Sequence, residues 1–135
     1  LDNGKESKSK KIKSREALKI NPEDASKRKL KNNDIVKVFN ERGSCLAGII
    51  ISEEVMPGII FLPTGAWYDP EKTSDFCIHG NPNVLTKDQG CSSLSQGPSA
   101  HSTLVEIIKW KDKLPRIKAF DVPKICTSIS KRNII

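Results

Sequence analysis

The amino-acid sequence predicts a mainly β fold, a closed barrel of short strands with one or two short helices. Three observations support this prediction. Short apolar runs are rich in Val and Ile, tight turns separate them, and only one segment carries a complete helix-start signal. The 135 residues, 36% of them apolar and 29% charged, are enough for one domain with a buried core.

Most of the net charge lies at the beginning of the chain. Residues 1–31 contain eleven Lys or Arg against five Asp or Glu, which accounts for +6 of the total charge of +7. Residues 1–16 are therefore predicted to form a basic extended arm. Binding of nucleic acid by this arm is one alternative function, although residues 1–38 lack the aromatic side chains that stack on bases. Because the sequence begins at Leu1, we expect a processed chain or a piece of a longer one.

The first strand and helix follow the arm. Residues 17–20 form a short strand candidate. Asn21 then precedes Pro22 and two acidic residues, the pattern of an N-cap, a proline at the first helical position and acids in the first turn. Basic residues at 27–31 suit the other end of the helix dipole.

A β-hairpin is predicted next. Residues 35–39 are β-branched or aromatic at nearly every position, and residues 45–51 form the return strand. The turn between them ends at Gly43, where we expect freedom to adopt a positive φ. Gly48, inside the return strand, indicates a bulge or a close backbone approach.

Two more strands complete the predicted barrel. Residues 55–58 fit a type II turn with Pro and Gly at its centre, and residues 59–62 form the strand after it. Residues 104–110 form the closing strand. Ile117 and Phe120 are expected to anchor the following segment onto the body, and residues 122–135 are predicted to be a basic tail whose end is disordered.

Two long loops carry the candidate functional residues. Residues 64–70 contain the Trp67-Tyr68 pair between Gly and Pro, so Trp67 either caps the barrel or stacks on a ligand. Residues 79–101 are rich in amides, hydroxyls and glycines. Asn and Gln side chains pair a donor with an acceptor, which suits the edge of a heterocycle such as guanine or pterin. The competing interpretation is a surface loop of turn formers.

The four cysteines form no CxxC pair. A small zinc-binding module that uses Cys77, His79, Cys91 and His101 is a second alternative function, although the spacing of these residues is not that of a zinc finger or ribbon. Separate, reduced cysteines that pack as small apolar residues are the other interpretation. The sequence has neither an apolar run long enough for a membrane span nor the apolar core of a secretory signal.

Several motifs in a fixed order resemble one known module. They cover nearly the whole chain and run Asn21-Pro22-x-Asp24-Ala25, Asp34-Ile35-Val36-x-Val38-Phe39-Asn40-x-Arg42-Gly43, Leu46-Ala47-Gly48, Pro57-Gly58, Gly65-Ala66-Trp67-Tyr68, Asn83-x-Leu85-Thr86, Leu114-Pro115-Arg116 and Phe120-Asp121-x-Pro123. The sequence resembles the C-terminal molybdopterin-dinucleotide-binding domain of the dimethyl sulfoxide reductase family. The segments 80–86 and 95–101 favour the branch of biotin sulfoxide, trimethylamine N-oxide and dimethyl sulfoxide reductases.

The resemblance implies a fold, a cofactor and a set of site residues. The fold would be a six-stranded double-psi β-barrel over residues 17–121. The cofactor would be the bis(molybdopterin guanine dinucleotide) molybdenum cofactor, used to reduce S-oxides or N-oxides by oxygen-atom transfer. Asn83 and Gln96 would offer amides to the pterin edges. The remaining cofactor-binding residues would shape the pocket; they are Ala66, Trp67, Tyr68, Leu85, Thr86 and Ser95.

The same resemblance places the catalytic centre outside this chain. The protein ligand to molybdenum would be a serine of an earlier domain, so neither a catalytic residue nor a metal ligand is expected here. The implied partners are the upstream domains of the same polypeptide, a small S-oxide or N-oxide substrate and an electron-donor protein, but no nucleic acid. The family slightly favours the bacterial periplasm over the cytoplasm.

Two positions depart from the family pattern. Asn33 stands where Gly is common, and Asn is the residue after Gly that best tolerates a left-handed φ, so the turn should survive. Cys91 stands where Thr is common, and a hydroxyl contact to the cofactor would be lost there.

Overall fold

The computed structural model describes residues 2–72 and 75–122. These residues form two short helices and six strands. In chain order the elements are α1 (Lys5–Lys10), β1 (Ala17–Ile20), α2 (Pro22–Lys27), β2 (Ile35–Phe39), β3 (Ser44–Ile51), β4 (Ile60–Phe61), β5 (Phe76–Cys77) and β6 (Glu106–Lys109). Two 3₁₀ turns lie between β5 and β6, at Pro82–Val84 and Ala100–Ser102.

The six strands form one sheet that curls into a half-barrel around the core. The order is β4-β1-β3-β2-β6, and β5 pairs with β3 beside this path. The longest strand, β3, is parallel to β1 and β5 and antiparallel to β2. The predicted mainly β fold with few short helices is confirmed. In the described residues β4 and β6 end the path without pairing with each other, so the closed double-psi barrel stays a prediction.

The core lies on both faces of β3. Cys45, Ala47 and Ile49 point into the larger apolar cluster, which also contains Val36 and Val38 of β2. Leu46, at the alternate position, belongs to a second cluster on the other face. Because side chains alternate along a strand, β3 reads as a continuous apolar run when both faces are covered.

Local sequence signals placed several turns correctly. The Asn21 side chain accepts a hydrogen bond from the Glu23 N–H at 2.9 Å, as an N-cap does. Asn33 adopts a left-handed φ of 69°. Gly58 has a φ of 81°, and the N–H of Ile59 donates to the carbonyl of Met56 at 3.1 Å, which closes the predicted type II turn.

The extended arm predicted for residues 1–16 is wrong at residues 5–10, which form α1. Glu6 and Lys10 pair at 2.8 Å across one turn of this helix. The segment after α1 enters the core, where Ile12 packs so closely on Gly48 that an added Cβ would lie 2.3 Å from the Ile12 Cβ. Gly48 therefore permits a close approach, while its strand keeps an uninterrupted register without a bulge.

The positive φ predicted for Gly43 is wrong, although glycine is required there for another reason. A Cβ at Gly43 would lie 2.5 Å from the Val84 carbonyl oxygen and 2.7 Å from that of Asp75. Backbone atoms of two other segments crowd Gly43. The sequence of the turn itself contains no information about neighbours that lie far along the chain.

The remaining strands are shorter than predicted, and β5 was not predicted. The strands expected at 59–62 and 104–110 are reduced to β4 and β6. Strand β5 has only two residues, too few for a periodic signal. Ile117 packs against the second cluster and Phe120 contacts the Trp67 ring, so the predicted anchors are confirmed. Most of the tail, residues 123–135, lies outside the described residues. No helix in the described residues is long and apolar enough to cross a membrane.

Candidate functional site

An open groove of about 450 Å³ lies beside β4 of the half-barrel. Residues from three segments line it: 60–64, which include β4, 82–86, and 100–105. We call it the Asn83 groove. Leu85 and Val105 give it apolar walls, whereas Asn83, Thr86 and Thr103 contribute amide and hydroxyl groups.

The turn at 82–86 presents the Asn83 side chain to this groove. The Asn81 side chain accepts a hydrogen bond from the Asn83 N–H at 2.8 Å and caps the 3₁₀ turn. Leu85 is buried in the main core and anchors the turn from the other side. The Asn83 residue is exposed, and its side-chain amide enters none of the hydrogen bonds found within the described part of the chain. Asn81 therefore performs the structural task and leaves Asn83 available to a ligand.

Ser95 and Gln96 lie on a second element. The chain from 90 to 98 folds back on itself through a bridge between Gly90 and Pro98. Both residues are exposed, and the Gln96 amide donates to the carbonyl of Ser92 at 3.1 Å. The thiol of Cys91 donates to the carbonyl of Ser95 at 3.2 Å, so this departure from the family pattern forms a contact within the loop.

Ala66, Trp67 and Tyr68 lie on a third segment. Ala66 is buried, while Trp67 and Tyr68 are 43% and 44% exposed. The Trp67 ring lies 5.5 Å from the Phe120 ring, between centroids. Trp67 is thus partly covered by the protein itself and keeps part of its surface for another contact.

The structure therefore divides the eight predicted site residues among three places. Asn83, Leu85 and Thr86 share the Asn83 groove. Ser95 and Gln96 share the 90–98 hairpin, and the other three share the 66–68 segment. None of these last five is among the groove-lining residues.

Sequence reasoning missed a buried polar cluster beneath the 66–68 segment. Lys11 Nζ lies 2.6 Å from a carboxylate oxygen of Asp2 and 2.6 Å from one of Glu16, and the side chains of Lys11 and Asp2 are 2% and 1% exposed. The fully buried His79 places Nε2 2.9 Å from the second oxygen of Asp2. Since an ionised carboxylate only accepts, His79 Nε2 carries the hydrogen.

This cluster connects the N-terminal segment to the predicted site. The same Asp2 oxygen accepts a hydrogen bond from the Trp67 N–H at 2.9 Å. Its hydrogen bonds to Lys11, Trp67 and His79 outweigh its burial and hold the pKa of Asp2 below its ordinary value. Asp2 therefore fixes the backbone that carries the Trp67 ring. In the sequence, only His79, an isolated histidine next to Gly80, could have indicated this cluster.

Neither alternative function gains support from this geometry. The zinc site proposed for Cys77, His79, Cys91 and His101 is wrong. All four residues are described, and within the described part of the chain no group of three or more His, Cys, Asp or Glu side chains could hold a metal ion. Cys77 and His79 are instead buried in the fold. For nucleic acid, Lys11 is already buried against two carboxylates, so this cation of the arm is not available to a phosphate.

Comparison with known proteins identifies related sequences. Residues 1–104 match a family model described as "Molydopterin dinucleotide binding domain". The chain is 50% identical over 112 residues to a trimethylamine-N-oxide reductase of Salmonella typhi, and the match covers 81% of this chain and 13% of the reductase. It is 48% identical over 106 residues to trimethylamine-N-oxide reductase 1 of Escherichia coli (strain K12), covering 76% of this chain and 12% of the reductase. A trimethylamine-N-oxide reductase of Vibrio cholerae is 40% identical over 114 residues, 83% of this chain and 14% of the reductase. The matched region is thus a small part of each relative.

Proposed function

The chain belongs to the family of molybdopterin dinucleotide-binding domains, and from this membership we propose that it helps to hold the bis(molybdopterin guanine dinucleotide) molybdenum cofactor of a larger oxidoreductase. The observation that carries the proposal is the Asn83 amide. It is exposed at a groove, it has no hydrogen-bond partner among the described residues, and its backbone is held by the neighbouring Asn81.

The groups lining the groove fit such a cofactor chemically. Pterin and guanine edges present donors beside acceptors, and a carboxamide matches this pattern with one of each kind. Thr86 and Thr103 add hydroxyl groups, while Leu85 and Val105 offer apolar surface to the faces of a ring. We propose that Asn83, Leu85 and Thr86 bind one part of the cofactor from this groove.

The other predicted residues would then contact different parts of the same large molecule. A dinucleotide cofactor extends well beyond one groove, so a site divided among three segments is consistent with its size. We propose that Ser95 and Gln96 bind from the 90–98 hairpin, and that Ala66, Trp67 and Tyr68 bind from the segment above the buried cluster. The ring of Trp67, which contacts Phe120 and stays partly exposed, is suited to pack against a flat group.

The complete protein is proposed to reduce an N-oxide or S-oxide. The curated relatives are named trimethylamine-N-oxide reductases, and the chain spans about an eighth of their length. When bound, the molybdenum centre supplies the oxygen-atom transfer. The residues of this chain would bind and orient the cofactor, and the remainder of the polypeptide would supply the metal ligand and the substrate pocket.

The proposal extends to the fold and to its nearest partner. We propose that the half-barrel belongs to a six-stranded double-psi barrel, which the parallel pairing of β3 with both β1 and β5 supports. We also propose that upstream domains of the same polypeptide cover the groove. Phe61 and Leu104, near its walls, are 51% and 86% exposed, and apolar side chains of this size favour a covering surface.

Two neighbouring asparagines provide the test. In the full-length protein, Asn83→Ala should lower molybdenum and pterin content, because an unpaired polar edge in an enclosed site costs about 1–3 kcal/mol. The unfolding temperature of the cofactor-free protein should stay unchanged, because the Asn83 amide has no partner among the described residues. Asn81→Ala should lower the unfolding temperature, because it removes the cap of the 3₁₀ turn. Full cofactor loading of Asn83→Ala would contradict the assignment of Asn83 to the cofactor.

A further inference from the structure

The tip of the β2–β3 hairpin lies behind the Asn83 groove. The Asn40 side chain donates through Nδ2 to the carbonyl oxygen of Leu85 at 2.9 Å and to that of Leu104 at 3.1 Å. These carbonyls belong to two segments that contribute to the groove, 82–86 and 103–105. One side-chain amide therefore connects two parts of the groove lining.

The Asn40 amide is held in a single orientation. Its oxygen accepts from the N–H of Arg42 at 3.0 Å and from the N–H of Gly43 at 3.3 Å. A carboxamide has two N–H donors and one oxygen with two lone pairs, and all of them are engaged here. Rotation of the group by half a turn would place its oxygen against two carbonyl oxygens, so the network determines which atom faces the groove segments.

Other residues of the hairpin tip support one of these segments but not the other. Arg42 Nε also donates to the Leu85 carbonyl, at 2.7 Å. Gly43 allows the Val84 carbonyl to approach closely. Within the described part of the chain, no hydrogen bond joins 82–86 directly to 103–105. The hydrogen-bonded link between the two segments therefore passes through Asn40, in addition to the apolar cluster that Leu85 and Val105 share.

We propose that Asn40 is a positioning residue for the bound cofactor. It would fix the separation of the 82–86 and 103–105 segments, and thereby the place of Asn83, without lining the groove itself. This inference rests on the proposed function, because it takes the Asn83 groove as part of the cofactor-binding surface. Its consequence is that Asn40 controls how long the cofactor stays bound.

The test uses Asn40→Asp in the full-length, cofactor-loaded protein. Aspartate has the same shape and keeps the acceptor oxygen, but its second oxygen cannot donate to the Leu85 and Leu104 carbonyls. Release of the cofactor should become about tenfold faster, which corresponds to the loss of roughly one hydrogen bond. Release is measured by the molybdenum that stays with the protein and by the fluorescence of the freed pterin. If Asn40→Asp does not fold, Asn40→Ser removes the same amide without adding a charge and should also accelerate release.

Asn21→Asp is the matched control. The Asn21 amide also donates to a distant carbonyl, that of Val55 at 2.8 Å, and also accepts from a backbone N–H, but neither Asn21 nor Val55 lines the groove. Both substitutions should lower the unfolding temperature, and only Asn40→Asp should accelerate release. Equal release rates for the two variants would overturn the proposal and leave Asn40 with a purely structural role.

Asn83→Ala, measured in the same series, separates the two proposals. Faster release from Asn83→Ala, with Asn40→Asp behaving like Asn21→Asp, would overturn only the role of Asn40. Unchanged release from Asn83→Ala would overturn the groove as a cofactor surface, and the inference about Asn40 with it. Faster release from both Asn83→Ala and Asn40→Asp, but not from Asn21→Asp, supports both.

Discussion

Gly43→Ala should destabilise the domain through crowding alone. The φ of Gly43 lies outside the left-handed region, so alanine meets no conformational strain there. Its Cβ, however, would lie 2.5 Å from the Val84 carbonyl oxygen and 2.7 Å from that of Asp75. Both obstacles are backbone atoms, which cannot move aside as the end of a flexible side chain can.

The magnitude follows from two opposing effects. Overpacking at a filled site costs about 1–3 kcal/mol. Replacing glycine also restricts the unfolded chain, which returns about 0.4–1 kcal/mol. The Asp75 carbonyl already accepts a hydrogen bond from the Ser44 N–H at 2.7 Å, so its displacement disturbs a second contact. We therefore expect a net loss of about 1–2 kcal/mol in the free energy of unfolding.

Urea unfolding of the 135-residue chain measures this loss, and Gly58→Ala is the control. Gly58 has a positive φ of 81° and no atom within 4 Å of an added Cβ, so its cost is conformational and local. Amide NMR shifts near residues 75 and 84 should move in Gly43→Ala but not in Gly58→Ala. Unchanged or increased stability of Gly43→Ala, with no shifts at residue 84, would refute the packing described here.

Two further predictions concern the buried cluster and the isolated chain. Asp2→Asn should cost about 2–3 kcal/mol, less than the 3–5 typical of a buried cation left alone, because Lys11 keeps Glu16 as a partner. Folding lowers the pKa of Asp2, so the contribution of Asp2 to stability is present above its unfolded pKa and is lost as the pH falls below about 4. In urea unfolding, the stability of Asp2→Asn should therefore depend less on acid pH than the stability of the parent. An identical acid dependence in both proteins would exclude Asp2 as its source. The isolated 135-residue chain should bind the free cofactor only weakly, because the other domains that enclose it are missing, and nanomolar affinity by calorimetry would contradict the proposal that those domains complete the site.

Local chemistry in the sequence was sufficient for several elements. The cap of α2 and the turn at Gly58 follow from the residue types at adjacent positions, and both were predicted correctly. The left-handed Asn33 was expected from the family pattern, in which Gly is common at that position, and it is also confirmed. Helix α1 was not, because a Lys-rich segment with scattered polar residues resembles a solvated arm. Its place in the fold depends on Ile12, which packs on Gly48, and on the hydrogen bonds of Asp2 with Trp67 and His79, and these partners lie far along the chain.

The candidate site also combines features that the local sequence predicted with features that depend on distant residues. Composition and order of motifs drew attention to the 79–101 loop and to Asn83. The sequence alone could not decide whether Asn81 or Asn83 caps the local turn, since both are asparagines beside Pro82. The role of Asn40 was hidden for a different reason: its partners lie 45 and 64 residues away. Such contacts follow from the fold and not from any local pattern.

Hydrogen exchange of the full-length protein, with and without its cofactor, tests the central claim most directly. If the Asn83 groove holds the cofactor, loading should slow exchange of the amides at 83–86 and 103–105 about tenfold or more, while those of α1, which lie outside the groove, keep their rates. Unchanged exchange at 83–86 on loading, with protection confined to other parts of the chain, would contradict the claim.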